Sequence, residues 1–211
     1  MKKNASILAL LKEFIPKPRT DLVFNDLYQL TVAVVLSAQT TDKAVNKATP
    51  QLFEKYPDFF TLAEANYDEL KNIIKTIGLA PTKAKNLISL SKKLINEKLG
   101  KIVPEFEYLI SLPGIGRKTA NVILSEGFNI PRLAVDTHVL RVTNRLGLAN
   151  TNNPLIVEKE LCKIYPPEEW RDLHLRLVSF GRYHCTAKKP QCDTCPLTLF
   201  CHFYTKNTSK K

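Results

Sequence analysis

The sequence predicts an all-α protein, and three observations support this prediction. Apolar residues recur at helical spacing along most of the 211 residues, and no alternating strand pattern of useful length is present. Residues that favour helix caps precede several of the apolar stripes, and glycines or prolines follow them. Helices of average length would number about ten. With 44% hydrophobic residues, the chain can build one large domain or two small ones.

The first hundred residues contain six helical segments. Asp21 and Asn25 are possible caps of the second, and Thr49 is expected to cap a helix with Pro50 in its first turn. Gly78 and a glycine at position 100 end the last two. The segments lie over residues 7–14 and 24–35, from 41–42 onward, from 50 onward, and over 70–77 and 87–95.

The second half of the chain continues in the same way. Asp136 has the position of a helix N-cap, and Gly181 stands just past the end of the last predicted helix. Residues 129–132 break the pattern and are the best candidate for a linker. Helices are predicted over residues 119–124, from 136 onward, and over 153–165 and 168–180.

Positive charge dominates the chain, with 31 Lys and Arg against 20 Asp and Glu, for a net charge of +11. Clustered cations are typical of proteins that bind a polyanion, and a solubilising face is the plainer alternative. Glycine turns suited to phosphate favour DNA or RNA. The first cluster is Lys71, Lys75, Lys83, Lys85, Lys92, Lys93, Lys98 and Lys101, and the second is Arg182, Lys188, Lys189, Lys206, Lys210 and Lys211.

No segment has the apolar run of a signal peptide or a membrane span. We therefore expect a cytoplasmic protein that does not act at a membrane. Disulfides are disfavoured in that compartment, so the five cysteines require another explanation.

The run LPGIGRK at residues 112–118 is the most informative segment. Gly114 and Gly116 allow a tight turn and a close approach of a ligand to the main chain. A helix that begins directly after such a turn presents unpaired N–H groups, which suit a phosphate. Lys118 is expected in the first turn of that helix.

Four cysteines lie within 17 residues as C-x6-C-x2-C-x5-C: Cys185, Cys192, Cys195 and Cys201. This spacing indicates a metal site, either zinc or an iron–sulfur cluster. Structural zinc usually takes two short pairs and only one pair here is short, so the spacing favours a [4Fe–4S] cluster. Coordination by Cys185 and Cys192 would fix both ends of the loop between them and hold Lys188 and Lys189 where they could bind a phosphate.

Lys118 and Asp136 each have a plain interpretation, as a phosphate contact and as a helix cap. Together they also suit catalysis. A helix N-terminus and partial burial both favour the uncharged amine, which is a nucleophile for a sugar carbon. A carboxylate could take the amine's proton and stabilise positive charge on the sugar ring. The sequence alone does not show that the two residues meet.

Four segments together resemble the endonuclease III family of helix–hairpin–helix DNA glycosylases. They are LSAQTTD at 36–42, LPGIGRKTAN at 112–121, AVDTHVLRVTNR at 134–145, and the cysteine tail. Their order also matches, and the resemblance extends from about residue 22 to residue 201. It implies a six-helix domain over residues 22–131, with the helix–hairpin–helix motif at about 107–126. It also implies an iron–sulfur cluster domain formed by residues 1–21 and 132–211, and a DNA-binding cleft between the two domains.

The resemblance also implies an activity. The family removes oxidised pyrimidines from duplex DNA and cuts the strand at the abasic site by β-elimination. Lys118 matches its nucleophile and Asp136 its catalytic carboxylate. The implied partner is double-stranded DNA with damaged bases or abasic sites. The protein is expected to be a monomer with a structural [4Fe–4S] cluster.

Two further residues match the family's devices for extruding a base. Gln39 matches the residue that fills the gap left by the base, and Leu79 matches an apolar wedge. Ala80-Pro81 departs from the family pattern, which has a larger residue and no proline there. His138 is expected to support the site. The full set of expected DNA contacts is Gln39, Leu79, Leu112, Gly114, Gly116, Arg117, His138, Lys188 and Lys189.

Three alternatives remain. An adenine glycosylase of the same superfamily generally lacks the lysine, and the 8-oxoguanine branch lacks the cysteine tail. The third alternative is a non-catalytic DNA-binding module with a structural metal.

Overall fold

The computed structural model describes residues 2–208, so Lys210 and Lys211 of the second basic cluster lie outside it. The prediction of an all-α protein is confirmed, because the described residues form twelve α-helices and no strand. The helices are α1 (Lys2–Phe14), α2 (Leu27–Ser37), α3 (Asp42–Lys55), α4 (Phe59–Ala63), α5 (Tyr67–Ile73), α6 (Ala80–Lys98), α7 (Phe106–Ser111), α8 (Arg117–Val122), α9 (Thr137–Leu146), α10 (Pro154–Ile164), α11 (Trp170–Tyr183) and α12 (His202–Thr208). A π-helical segment follows α8 over Ile123–Gly127.

Contacts divide the described chain into two compact units. The hairpin unit comprises residues 20–130, and the cysteine unit combines the residues up to Arg19 with those from Pro131 onward. Each unit has its own cluster of buried apolar side chains.

The hairpin unit is built around α2 and α6. Eight of the eleven residues of α2 are buried, which explains why its sequence is almost uniformly apolar. Asp26 caps this helix by accepting a hydrogen bond from the Gln29 N–H at 2.7 Å, so neither predicted cap residue serves. Helices α4 and α5 pack against α6, and α3 packs against α2.

The prediction for Pro50 is wrong. Pro50 lies inside α3, which continues from Asp42 to Lys55 instead of ending before the proline. Proline in a helix interior removes one hydrogen bond and crowds the preceding turn. The helix persists because Val45 and Leu52 on either side of the proline are fully buried on one face.

The cysteine unit is built on the packing of α9 against α11, with α1 also against α11. Gly181 lies inside α11 and not past its end, which corrects the prediction. A Cβ at Gly181 would lie 2.9 Å from the Cβ of His138 and 3.2 Å from Val142. Glycine therefore marks the close approach of these two helices and not a helix end.

Candidate functional site

The hairpin between α7 and α8 is set by two buried anchors and one glycine. Leu112 and Ile115 are 2% and 4% exposed, and the Ile115 N–H donates to the Leu112 carbonyl at 3.1 Å. Gly114 has φ 82°, and a Cβ there would lie 3.0 Å from the Cβ of Asn86. The turn therefore requires glycine at this position. Leu112, an expected DNA contact, lies with its side chain in the core, so the side chain supports the hairpin from inside.

The N-terminus of α8 is open toward solvent. Gly116 is the N-cap residue and provides no side-chain hydrogen bond to the helix. A Cβ at Gly116 would meet no atom within 4 Å. The first N–H groups of a helix lack intrahelical partners, so this end suits a phosphate oxygen.

Two cations follow Gly116 in the first turn of α8. Arg117 is exposed, and its guanidinium lies 5.0 Å from the centre of the Phe106 ring. Lys118 is half-buried. The position of Lys118 confirms the first-turn placement expected from the sequence.

Asp136 caps α9, as the sequence predicts. Its Oδ1 accepts hydrogen bonds from the N–H groups of His138 and Val139, both at 2.8 Å. Both of these hydrogen bonds use Oδ1, so neither of them occupies Oδ2. The carboxylate is thus fixed in orientation by its own helix.

His138 lies behind this cap, against α11. Its Nδ1 is 3.2 Å from a guanidinium nitrogen of Arg141. Burial lowers the pKa of His138 below its ordinary 6.5, Arg141 and Arg182 act in the same direction, and Asp136 opposes them. The ring is therefore held neutral near pH 7, a state that can accept a hydrogen bond from Arg141.

Gln39 and Leu79 lie on two adjacent loops of the hairpin unit. Both are exposed and both have left-handed backbones, with φ 53° and φ 61°. Gly78 fixes how close the loops come, because a Cβ there would lie 3.3 Å from the Gln39 carbonyl oxygen. The structure thus brings together two residues that are 40 positions apart in the sequence.

The first basic cluster is less exposed than its sequence suggests. Lys83 is 4% exposed and does not contribute to a cationic surface. Lys71 pairs with Asp68 at 2.6 Å, and Lys98 lies 3.8 Å from Glu105. The interpretation of all eight lysines as a polyanion-binding face is therefore wrong for Lys83.

The four cysteines of the tail line one cavity, together with Arg145 and Phe203. Burial raises the pKa of the Cys192 thiol, and the nearby Cys185 and Cys201 raise it further. Among the described residues, no group of three or more His, Cys, Asp or Glu side chains is arranged to hold a single metal ion. Four cysteine thiols on one cavity are the donor set that a [4Fe–4S] cluster takes.

Two arginines of α9, which the sequence pattern did not indicate as site residues, hold the loop after Cys185. Arg145 donates to the Cys185 sulfur at 3.2 Å and to the carbonyls of Thr186 and Ala187 at 2.8 and 3.0 Å. Arg141 donates to the Cys185 carbonyl at 3.2 Å. Lys188 and Lys189 are exposed on this loop. The pattern RVTNR carries the helical spacing that places both arginines on one face of α9.

Comparison with known proteins agrees with these features. Residues 32–167 match the family model of the HhH-GPD superfamily base excision DNA repair proteins, and residues 185–201 match the iron–sulfur binding domain of endonuclease III. The fold and the hairpin therefore define a base excision DNA repair protein.

Individual relatives show which family of base excision DNA repair proteins this chain resembles. Endonuclease III of Rickettsia felis is 49% identical over 189 residues, covering 90% of this chain and 89% of the relative. Endonuclease III of Bacillus subtilis is 42% identical over 211 residues, covering 100% and 96%. A structure of a trapped endonuclease III–DNA covalent intermediate superposes with a TM-score of 0.94 at 43% identity, covering 97% and 98%. The chain belongs to the endonuclease III family.

The cofactor is the [4Fe–4S] cluster of this family, with Cys185, Cys192, Cys195 and Cys201 as the candidate ligands. The family assignment thus decides between the cluster and zinc, which the spacing alone left open. In the described part of the chain, no helix combines the length and apolar character needed to cross a membrane.

Proposed function

We propose that the protein is a bifunctional DNA glycosylase and abasic-site lyase of base excision repair. It removes oxidised pyrimidines from duplex DNA and cuts the strand 3′ to the resulting abasic site. The observation that carries this proposal is a half-buried lysine, Lys118, in the first turn of a helix whose N-terminus is open beside Gly116. An endonuclease III that is 43% identical has been trapped as a covalent intermediate with DNA.

Docking on DNA relies mainly on phosphates. The open N-terminus of α8 takes one phosphate, and Arg117 lies beside it. Lys188 and Lys189 provide two exposed ammonium groups on the other unit. Binding of this kind releases counterions, so the affinity falls steeply as the salt concentration rises.

The reaction at the sugar uses Lys118 and Asp136. The Lys118 Nζ attacks C1′, the bond from C1′ to the base breaks, and the base leaves with that electron pair. Asp136 takes the proton that the amine loses. The departing base takes up a proton from solvent. Opening of the sugar ring, with the proton on Asp136 passing to O4′, gives a Schiff base between C1′ and Lys118. Removal of a C2′ proton then breaks the C3′–O bond and releases the 3′ phosphate, and water hydrolyses the Schiff base.

The cap geometry supports the role given to Asp136. Its Oδ1 is occupied by two N–H groups of α9, which leaves Oδ2 to receive a proton. His138 supports the site by packing beneath this cap. The cluster supplies structure: its ligands at positions 185 and 192 hold the ends of the loop that carries Lys188 and Lys189. We infer that the protein acts as a monomer in the bacterial cytoplasm.

Borohydride trapping tests the proposal directly. With duplex DNA that contains an abasic site, the native protein should give a covalent adduct, and Lys118→Ala should abolish it. Lys159→Ala, which removes an exposed lysine of α10, should leave trapping intact. Folding of each variant is checked by circular dichroism. A native protein that gives no adduct would indicate a non-catalytic DNA-binding module instead.

A further inference from the structure

Lys83 is a buried cation of the hairpin unit, and it lies next to the exposed loop that carries Gln39. It projects from α6 toward the C-terminal end of α2, and its Nζ donates three hydrogen bonds. The acceptors are the Leu36 carbonyl at 2.8 Å, the Ala38 carbonyl at 2.6 Å and the Thr40 hydroxyl at 2.9 Å. An ammonium group has three N–H donors, so each donor has a partner, which makes the burial of this charge tolerable.

The acceptors surround Gln39. The last carbonyls of a helix lack intrahelical partners and carry the negative end of its dipole, so a cation there is favourable. Lys83 satisfies two such carbonyls at the end of α2 and also holds Thr40. The residues on either side of Gln39, Ala38 and Thr40, thus both accept hydrogen bonds from the Lys83 ammonium.

Leu79 is tied to the same lysine through the backbone. Leu79 is the N-cap residue of α6, and its carbonyl accepts the Lys83 N–H at 3.0 Å. Pro81, in the first turn of α6, has no N–H to lose there and stiffens the start of the helix. The side chain of Lys83 therefore binds the loop of Gln39, while its backbone belongs to the turn that presents Leu79.

Both presented residues have left-handed backbones, which are costly for residues other than glycine. Such conformations persist only where the surroundings fix them. Leu79 is 55% exposed, so little packing of its own side chain holds it. The hydrogen bonds of Lys83 and the close approach at Gly78 link the two loops, in addition to the hydrogen bonds within each loop.

We infer that Lys83 is a positioning residue for base extrusion: its ammonium ties the loop of Gln39 to the helix that begins after Leu79, so that both residues enter the DNA stack together. The inference rests on the proposed function. Lys83 takes no part in the reaction at the sugar. Loss of the Lys83 side chain should therefore slow the step in which a paired base leaves the stack. It should have little effect on the rate of strand cleavage at a sugar that has already lost its base.

The test compares Lys83→Met with Lys85→Met, which removes the same charge from an exposed position on the same helix. One substrate is a duplex with an oxidised pyrimidine opposite its complementary purine, and the other carries a preformed abasic site. Under single-turnover conditions, Lys83→Met should lower the rate of base excision by about tenfold or more, and strand cleavage at the abasic site by less than about threefold. Lys85→Met should lower both activities alike.

A spectroscopic readout separates positioning from a merely structural role. The fluorescence of 2-aminopurine placed beside the lesion rises when the stack opens, and Lys83→Met should reduce that rise while Lys85→Met retains it. Thr40→Val removes one of the three acceptors and serves if Lys83→Met does not fold. It should change the ratio of the two rates in the same direction, by about threefold.

The outcomes distinguish the two proposals. A native protein that neither excises the base nor cuts the abasic site contradicts the proposed function. A native protein that does both, with Lys83→Met or Thr40→Val matching Lys85→Met in the rate ratio and in fluorescence, overturns the role of Lys83.

Discussion

Two exposed loops, one in each unit, carry residues that we propose contact DNA, and a cation from a neighbouring helix holds each of them. In the hairpin unit, Lys83 binds the carbonyls on either side of Ser37 and the hydroxyl of Thr40. In the cysteine unit, Arg145 binds three successive backbone carbonyls from Cys185 onward. Each cation thus orders a loop mainly through backbone carbonyls, which leaves Gln39 in one loop and Lys188 and Lys189 in the other available for DNA.

The two loops differ in what else holds them. The ammonium of Lys83 is fully used by the loop. The loop of Lys188 and Lys189 is held by Arg145 and Arg141 and, as we propose, by cluster coordination at Cys185 and Cys192. A loop with one polar clamp should respond to a single substitution, whereas a loop with several should respond mainly to loss of the cluster. The comparison therefore separates two ways of making a loop rigid.

Loss of a cluster ligand should have the largest effect. Cys192→Ser should remove the yellow-brown colour of the purified protein and lower the free energy of unfolding by more than about 4 kcal/mol, because a metal centre that organises the fold is lost. Thermal unfolding and the visible spectrum measure both effects.

The fifth cysteine provides a matched control for this prediction. Cys162→Ser, on α10, should keep the colour and cost about 1 kcal/mol or less. Equal effects of the two substitutions would mean that the cluster does not organise the loop.

The hairpin is held in a third way, by the backbone conformation of its glycines. Gly114→Ala places a Cβ 3.0 Å from Asn86 at φ 82°, so it should cost about 2 kcal/mol of stability and weaken DNA binding. Gly116→Ala has free space for its Cβ and should cost less than about 1 kcal/mol. The DNA affinity of this variant should still fall, because the methyl group stands where we propose that a phosphate approaches the backbone. Denaturant unfolding and DNA titration separate the two effects.

A substitution of Arg145 tests the redundancy in the cysteine unit. Arg145→Met should cost only about 1 kcal/mol while the cluster is present, because Arg141 and the coordinated cysteines still hold the loop. The salt dependence of DNA binding should stay close to that of the native protein. A loss as large as that of Cys192→Ser would show that the arginine, and not the cluster, orders this loop.

The smallest effect concerns protonation of His138. Because burial lowers the pKa of His138 below 6.5, the folded state binds fewer protons than the unfolded state in this range. Its contribution to stability is therefore complete above pH 6.5 and decreases as the pH falls through the folded-state pKa. His138→Gln should make the decrease in stability from about pH 7.5 to about pH 5 shallower, as measured by denaturant unfolding at each pH. An unchanged pH dependence would contradict this assignment.

Local patterns in the sequence were enough to predict much of the fold. The all-α class, the cap of α9 by Asp136 and the start of α10 after Asn153 depend on short-range chemistry, and the structure confirms them. Pro50 and Gly181 were predicted incorrectly because their surroundings are tertiary. Burial on one face carries α3 through its proline, and contact with α9 explains the glycine inside α11.

The candidate site shows the same division. Residue type and spacing indicated the cysteines, the hairpin glycines and Lys118, because their chemistry is encoded locally. Lys83 and Arg145 were missed, since their acceptors lie 40 or more positions away in the sequence. A lysine among seven others in a basic stretch carries no local sign that it is buried. Only packing identifies it.

In the proposed reaction, the amine of Lys118 bonds to the deoxyribose. Digestion of the borohydride-trapped complex and mass spectrometry of its peptides locate that bond directly. We predict that the reduced sugar remnant is found on the peptide containing Lys118 and at that residue alone. A remnant on another lysine, or on the N-terminal amine, would contradict the account.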